Sequence, residues 1–200
     1  MRIPRSGHTG GAAPILAARF AAARLIHAEP NGRNTAMPWT PTPEDDRRFM
    51  ALAIEQARKS WDEGGVPIGA VLVHEGDVLA AGHNQRFQQD SAILHGETDA
   101  IEKAGRLPAG VYRSSVLYTT LSPCIMCAGT ALLYEIPRIV VGENRSFEMS
   151  EALLAERGVR VDVLDDPACI ELMDRMLAER PDLWSEDIGV EAGETAKAAR

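Results

Sequence analysis

Cysteine is scarce. The 200 residues hold three, Cys124, Cys127 and Cys169, too few for a disulfide scaffold. Two of them stand three apart, a spacing that suits metal binding or redox work in a reducing compartment. Long apolar runs are also missing: nothing approaches the roughly 20 residues of a membrane-spanning helix. Residues 12–28 are Ala-rich but broken by Arg19 and Arg24, without the continuous apolar region and cleavage signal of a secretory peptide. These absences leave the cytoplasm as the expected compartment and exclude a membrane partner. Positive charge is short too. Lys and Arg number 21 against 29 Asp and Glu, a net charge of −8. Such a protein gains no general attraction to phosphate backbones, so no nucleic-acid partner is expected and a small uncharged substrate fits better. No internal repeat is visible.

What is present suits a single soluble domain. The chain is 45% hydrophobic and 25% charged, and its length supports a core without disulfide help. Residues 1–36 differ from the rest. They hold five arginines and one acid (Glu29), and read as a disordered or non-native extension ahead of a start at Met37. An Arg-rich, acid-poor leader is the competing reading. Without them the net charge moves from −8 to −12. Residues 37–190 are the expected domain, and 191–200 a flexible tail without apolar pattern.

The first helix is expected from Pro43, with Glu44, Asp45 and Asp46 favourable at the positive end of its dipole and Phe49, Ala53, Ile54 and Ala57 at helical spacing. Gly64 and Gly65 stop it. Strands are expected at 66–73 and 78–82 around a Gly76-Asp77 turn, then a helix over 91–104 and a strand at 115–120. Ser122-Pro123 reads as an N-cap and first helical residue, opening a helix to about Leu133. A strand at 139–141, a helix at 148–157, a strand at 159–164 and a helix at 167–179 complete the order. This order predicts an α/β fold: a five-stranded mixed sheet with helices on both faces and two parallel crossovers.

The chemistry concentrates in His95-Gly96-Glu97 and Pro123-Cys124-Ile125-Met126-Cys127. Imidazole and thiolate are good zinc ligands, and three protein ligands leave a fourth position for water, as in catalytic zinc sites. Both thiols sit at a helix start, which favours thiolates. A lone Cys-x-x-Cys is weak evidence, because a redox pair or two buried thiols share it. Joined to His-x-Glu it becomes the signature of zinc deaminases. His95, Cys124 and Cys127 are then the expected ligands of Zn2+, and Glu97 the group that carries protons. His74 and His83 read as packed or surface histidines and Cys169 as a buried thiol. The Gly-Gly-Val-Pro segment after Glu63 reads as a structural turn, since no Lys-Ser or Lys-Thr follows to make a phosphate loop.

The chain resembles the cytidine and deoxycytidylate deaminase superfamily and, within it, the fungal-type cytosine deaminases. The resemblance covers roughly residues 46–189. It rests on Glu-Gly-Gly-Val-Pro-Ile-Gly (63–69), Gly-His-Asn-x-Arg-Phe-Gln (82–88), His-Gly-Glu (95–97), Leu-Tyr-Thr-Thr-Leu-Ser-Pro-Cys-x-Met-Cys (117–127), Val-Val-Gly-Glu-Asn (140–144) and Glu-Arg-Pro…Trp-x-Glu-Asp-Ile-Gly (179–189). It implies a cytidine-deaminase-like three-layer α/β/α sandwich, a homodimer, a role in pyrimidine salvage, and hydrolysis of free cytosine to uracil and ammonia. It further implies that Asn84 and the backbone of Gly96 contact the pyrimidine edge. Asp187 and the Ser122 carbonyl receive the amine, and Phe147, Trp184 and Ile188 cover the ring.

Two places depart from the family pattern, Thr98-Asp99 after His-Gly-Glu and Ser185 in the C-terminal segment. Asp99 either faces away on its helix or lines the pocket. In the second case isocytosine, a 5-substituted cytosine or a creatinine-like lactam gains as substrate. Ser185 stands in place of an aromatic, which could enlarge or loosen the cover. Nucleoside, guanine and tRNA adenosine deaminases, and a non-catalytic zinc-stabilised protein, are the remaining alternatives.

Overall fold

The computed structural model describes residues 39–191. The expected extension over 1–36 and, apart from Glu191, the expected tail lie outside the described residues. The elements run α1 (Pro43–Asp62), β1 (Gly69–His74), β2 (Asp77–His83), α2 (Arg86–Gln89), α3 (Gly96–Ala104), α4 (Ala109–Tyr112), β3 (Ser115–Leu121), α5 (Ile125–Leu133), β4 (Arg138–Glu143), α6 (Glu151–Glu156), β5 (Arg160–Val163), α7 (Pro167–Glu179) and α8 (Pro181–Asp187). The sheet order is β2-β1-β3-β4-β5. Its first two pairings are antiparallel and its last two parallel, so the sheet is mixed, as the element order predicts.

Side chains alternate across a strand, and that alternation builds two cores. Val71, Val73, Val116, Tyr118 and Val140 pack under Phe49, Met50 and Ala53 of α1 and Cys169 of α7. Their neighbours Ala70, Leu72, Leu117, Ile139 and Val141 pack against Ala100 and Ile101 of α3, Ala128 and Ala131 of α5 and Leu154 of α6. The result is the three-layer arrangement. Cys169 is buried, as expected, and burial pushes its thiol up. Among the described residues no helix is long and apolar enough to cross a membrane.

Several boundaries move, each for a local reason. The hairpin turn is Glu75-Gly76, not Gly76-Asp77, because both residues have positive φ (51° and 84°), as a two-residue turn of the primed type requires. α3 begins at Gly96 rather than Ser91. The Ser91 hydroxyl accepts from the backbone N–H groups of Ile93 and Leu94 (3.3 and 3.2 Å), a local turn that competes with helix. Ser122 still pairs with Glu143 at the end of the sheet (3.0 Å), so Cys124 rather than Ser122 is the N-cap of α5. α6 starts at Glu151 behind Ser150, later than the expected 148. The short helices α2, α4 and α8 carry no long periodic pattern. α8 is separate from α7 because Arg180, which precedes a proline, leaves the helical region (φ −139°, ψ 49°).

Asp46 has a different role from the one its neighbours suggest. Thr42 and Asp45 form the capping box of α1, whereas Asp46 is buried. It accepts two bonds from the Arg138 guanidinium (2.9 and 2.8 Å) and one from the Tyr118 hydroxyl (2.8 Å). Arg138 also donates to Asp162 of β5 (2.7 Å). This network ties α1 to three strands. Breaking a buried pair strands the other charge at a cost of about 3–5 kcal/mol. Arg138→Ala is therefore expected to lower the melting temperature by about 6–20 °C for a domain of this size, read by circular dichroism. A drop under about 2 °C would show that water compensates Asp46.

Candidate metal centre and pocket

Two helix starts face each other across the end of the sheet. His95 is the N-cap of α3, with Glu97 one residue inside that helix. Cys124 is the N-cap of α5, with Cys127 in its first turn. Glycine at 96 permits the approach: a Cβ there would come within 3.2 Å of the Ile68 carbonyl oxygen. Glycine at 82 does the same for the body of α3, since a Cβ there would lie 2.3 Å from the Ala100 nitrogen.

The three expected ligands converge. Sγ of Cys124 lies 3.4 Å from Nδ1 of His95 and 3.6 Å from Sγ of Cys127, and Cys127 Sγ is 3.7 Å from the same nitrogen. Tetrahedral zinc with ordinary bond lengths places its ligand atoms about 3.5–3.8 Å apart, so the donor set fits that ion in spacing and in type. Among the described residues this is the one cluster of three such groups.

The charge balance points the same way. The Cys127 thiol donating to Cys124, with help from His95, holds Cys124 down at about 4 despite burial. The same bond, burial and Glu97 push Cys127 up. Burial and the negative Cys124 raise Glu97. Burial alone would lower His95, but its bond to Cys124 and the charges of Asp187 and Glu97 outweigh that and raise it. Acidic groups crowd a site whose walls carry no lysine or arginine, and a divalent cation relieves that crowding.

Glu97 is 3% exposed. Its Oε1 accepts from the Thr119 hydroxyl (3.1 Å) and its Oε2 lies 3.4 Å from Cys127 Sγ. One oxygen is thus anchored to β3 while the carboxylate stays beside the ligand cluster.

A pocket opens from this cluster. His95, Glu97, Cys124 and Ser122 form its floor, Ile68 and Leu121 its apolar wall, and Phe147, Trp184, Asp187 and Ile188 its cover. Phe147 and Trp184 meet edge to face with centroids 5.7 Å apart. With the cover in place the cavity is only about 20 Å3, far below the ~300–1,000 Å3 of pockets for drug-sized ligands. This is the site in its closed form, and a ring enters only when the cover shifts.

Of the expected base contacts, Asn84 and Gly96 are not on the pocket wall. Asn84 is buried beside it and donates from Nδ2 to Asp187 Oδ2 (2.9 Å). Gly96 lies between the wall residues His95 and Glu97. Asp99 is turned away from the pocket. It accepts from the His83 backbone N–H (2.9 Å) and the Gln85 side chain (2.8 Å) and pairs with Lys103, so it holds the two residues that flank Asn84. Ser185 is buried off the pocket, donating to the Pro181 carbonyl (3.1 Å). His83 is packed, with Nε2 2.9 Å from a Glu63 carboxylate oxygen. His74 is half-buried beside Ser114. Neither belongs to the metal cluster.

Sequence reasoning missed Thr119, the apolar wall residues Ile68 and Leu121, and Arg86. All four stand inside the stretches that carry the family resemblance. Only the fold shows what each touches.

Comparisons with known proteins point to one family. The model of the cytidine and deoxycytidylate deaminase zinc-binding region matches residues 43–143. The chain is 51% identical over 146 residues to the cytosine deaminase of Candida albicans, covering 72% of this chain and 97% of that protein. It is 40% identical over 99 residues to the tRNA-specific adenosine deaminase of Bacillus subtilis, covering 48% and 61%. A solved guanine deaminase from Nitrosomonas europaea superposes with a TM-score of 0.56 at 23% identity, over 70% of this chain and 86% of that one, a likeness of fold alone. The chain belongs to the cytidine and deoxycytidylate deaminase family.

Proposed function

We propose that this protein hydrolyses free cytosine to uracil and ammonia. The observation that carries the reading is the covered site: Phe147, Trp184 and Ile188 close over His95, Glu97 and Cys124 and leave a cavity of only about 20 Å3, an arrangement that favours a small flat base over a nucleoside or a polynucleotide. The 51% identity to a cytosine deaminase supports the same substrate.

His95, Cys124 and Cys127 hold Zn2+ in this reading. When bound, the ion acts as a Lewis acid that makes water acidic enough to attack at neutral pH. Glu97, fixed by Thr119, takes a proton from the attacking water and passes it to the ring nitrogen. C4 thereby becomes more electrophilic. Glu97 then delivers a proton to the departing amine. Asp187 and the Ser122 carbonyl receive the exocyclic amine, and Asn84 and the Gly96 backbone read the pyrimidine edge. The Asn84 amide has a second N–H left after its bond to Asp187. The cover keeps bulk water from the reacting atoms.

Asp99 facing away removes the reason to favour isocytosine or a creatinine-like lactam. The net charge of −8 disfavours a polynucleotide substrate. The reading also includes a cytoplasmic homodimer that returns uracil to pyrimidine salvage. Ile125 and Leu133, at the two ends of α5, are 56% and 74% exposed and offer apolar surface for pairing.

The test is ammonia release by zinc-loaded protein, its mass fixed by light scattering, from cytosine, 5-methylcytosine, isocytosine, cytidine, guanine and creatinine. Turnover of cytosine at least about 100-fold above cytidine is expected, on the scale set by a buried polar mismatch. Turnover of another base with cytosine ignored would keep the chemistry and overturn the substrate.

A further inference from the structure

Arg86 links the segment that carries Asn84, behind the pocket, to the end of α8 that covers it. It follows Asn84 by two residues, and its backbone N–H donates to Asn84 Oδ1 (3.0 Å). Its guanidinium reaches the end of α8. There Nη1 donates to the carbonyl of Asp187 (2.7 Å), and lies 3.3 Å from both the Glu186 carbonyl and Asp187 Oδ1. Nε turns back to the Ser91 carbonyl (3.4 Å). Asp187 is thus held at both oxygens, Oδ1 by Arg86 and Oδ2 by Asn84.

The grip falls where it matters. The last carbonyls of a helix have no partner within it, and here a cation satisfies them. Trp184, Asp187 and Ile188 cover the pocket, and Trp184 and Asp187 are nearly inaccessible. Entry of a ring therefore requires the end of α8 to move. The Arg86 side chain is 28% exposed, so its guanidinium can turn to water when the helix end moves, while Asp187 keeps its bond from Asn84.

We propose that Arg86 is a latch: it holds the C-terminal helix closed over the pocket and aims the Asp187 carboxylate. It is a positioning residue that acts through Asp187 and the carbonyls beside it. The inference rests on the reading of this pocket as the base-binding site.

The test uses full-length, zinc-loaded Arg86→Ala and Arg86→Gln, with amide hydrogen exchange and steady-state kinetics on cytosine. Exchange over residues 183–190 is expected to rise about 10- to 100-fold, the weight of one charge-assisted hydrogen bond, while β1, β3 and β4 stay protected. KM is expected to rise more than kcat falls. Combining Arg86→Ala with Asp187→Asn should raise KM by less than the product of the separate effects, as residues acting as a unit do. Unchanged exchange over 183–190, or multiplicative effects, would overturn the latch. Should the alanine variant lose sheet protection, the glutamine variant decides by the same exchange readout. A wild type that releases no ammonia from cytosine would sink the substrate reading, and the exchange comparison would still judge the latch.

Discussion

Glu97→Gln is expected to lower kcat for cytosine by about 10²–10⁴-fold, the usual contribution of a positioned proton carrier, with zinc content unchanged. The substitution keeps the shape of the side chain and its anchor on Thr119. It removes only the capacity to take up a proton. None of the ligand atoms belongs to Glu97, so metal analysis should still find one zinc per chain. Kinetics and zinc content together separate the two roles this carboxylate could play. Lost activity with zinc retained assigns it proton transfer. Lost zinc would make it a support of the metal site. A variant keeping more than about a tenth of wild-type activity would shift the proton work to Asp187, whose Oδ2 lies 3.9 Å from His95 Nε2.

Removing zinc is expected to abolish deamination and to weaken the fold together. A ligand that binds only the native state stabilises it by about 4 kcal/mol at a thousandfold excess over its Kd. For a domain of this size that is about 8–16 °C in Tm. The local cause is the acidic crowding of Cys124, Cys127 and Glu97 around one point, with Asp187 in the cover above them. Chelation followed by dialysis should therefore give inactive protein that melts earlier, and equimolar zinc should restore both properties. Chelated, metal-free protein with full activity would exclude the proposed role of the ligand cluster.

Much of this architecture was legible because it is written in short-range pattern. The strands over 69–74 and 115–121 were expected from their β-rich runs, but both are buried almost throughout, so which residue faces which helix layer came only from the fold. The Cys-x-x-Cys and His-x-Glu spacings name the metal cluster because each pair lies within one helical turn, where geometry follows directly from sequence distance. The hairpin turn and the starts of α3 and α5 were displaced by one to five residues. There side-chain turns and sheet pairing compete with helix on nearly equal terms, as Ser91 and Ser122 illustrate.

The sequence by itself determined which residues could hold a metal, which carboxylate stands beside them, and the order of helices and strands. Only the tertiary structure decided the partners of charged residues distant along the chain. Asp46 meets Arg138 across 92 positions and Arg86 meets Asp187 across 101. Asp99, which could have lined the pocket, turns to hold the two residues that flank Asn84. The physical reason is that ligand spacing within a helical turn is local geometry. The partner of a buried charge depends on how helices dock on the sheet, and that is set by the packing of the whole core.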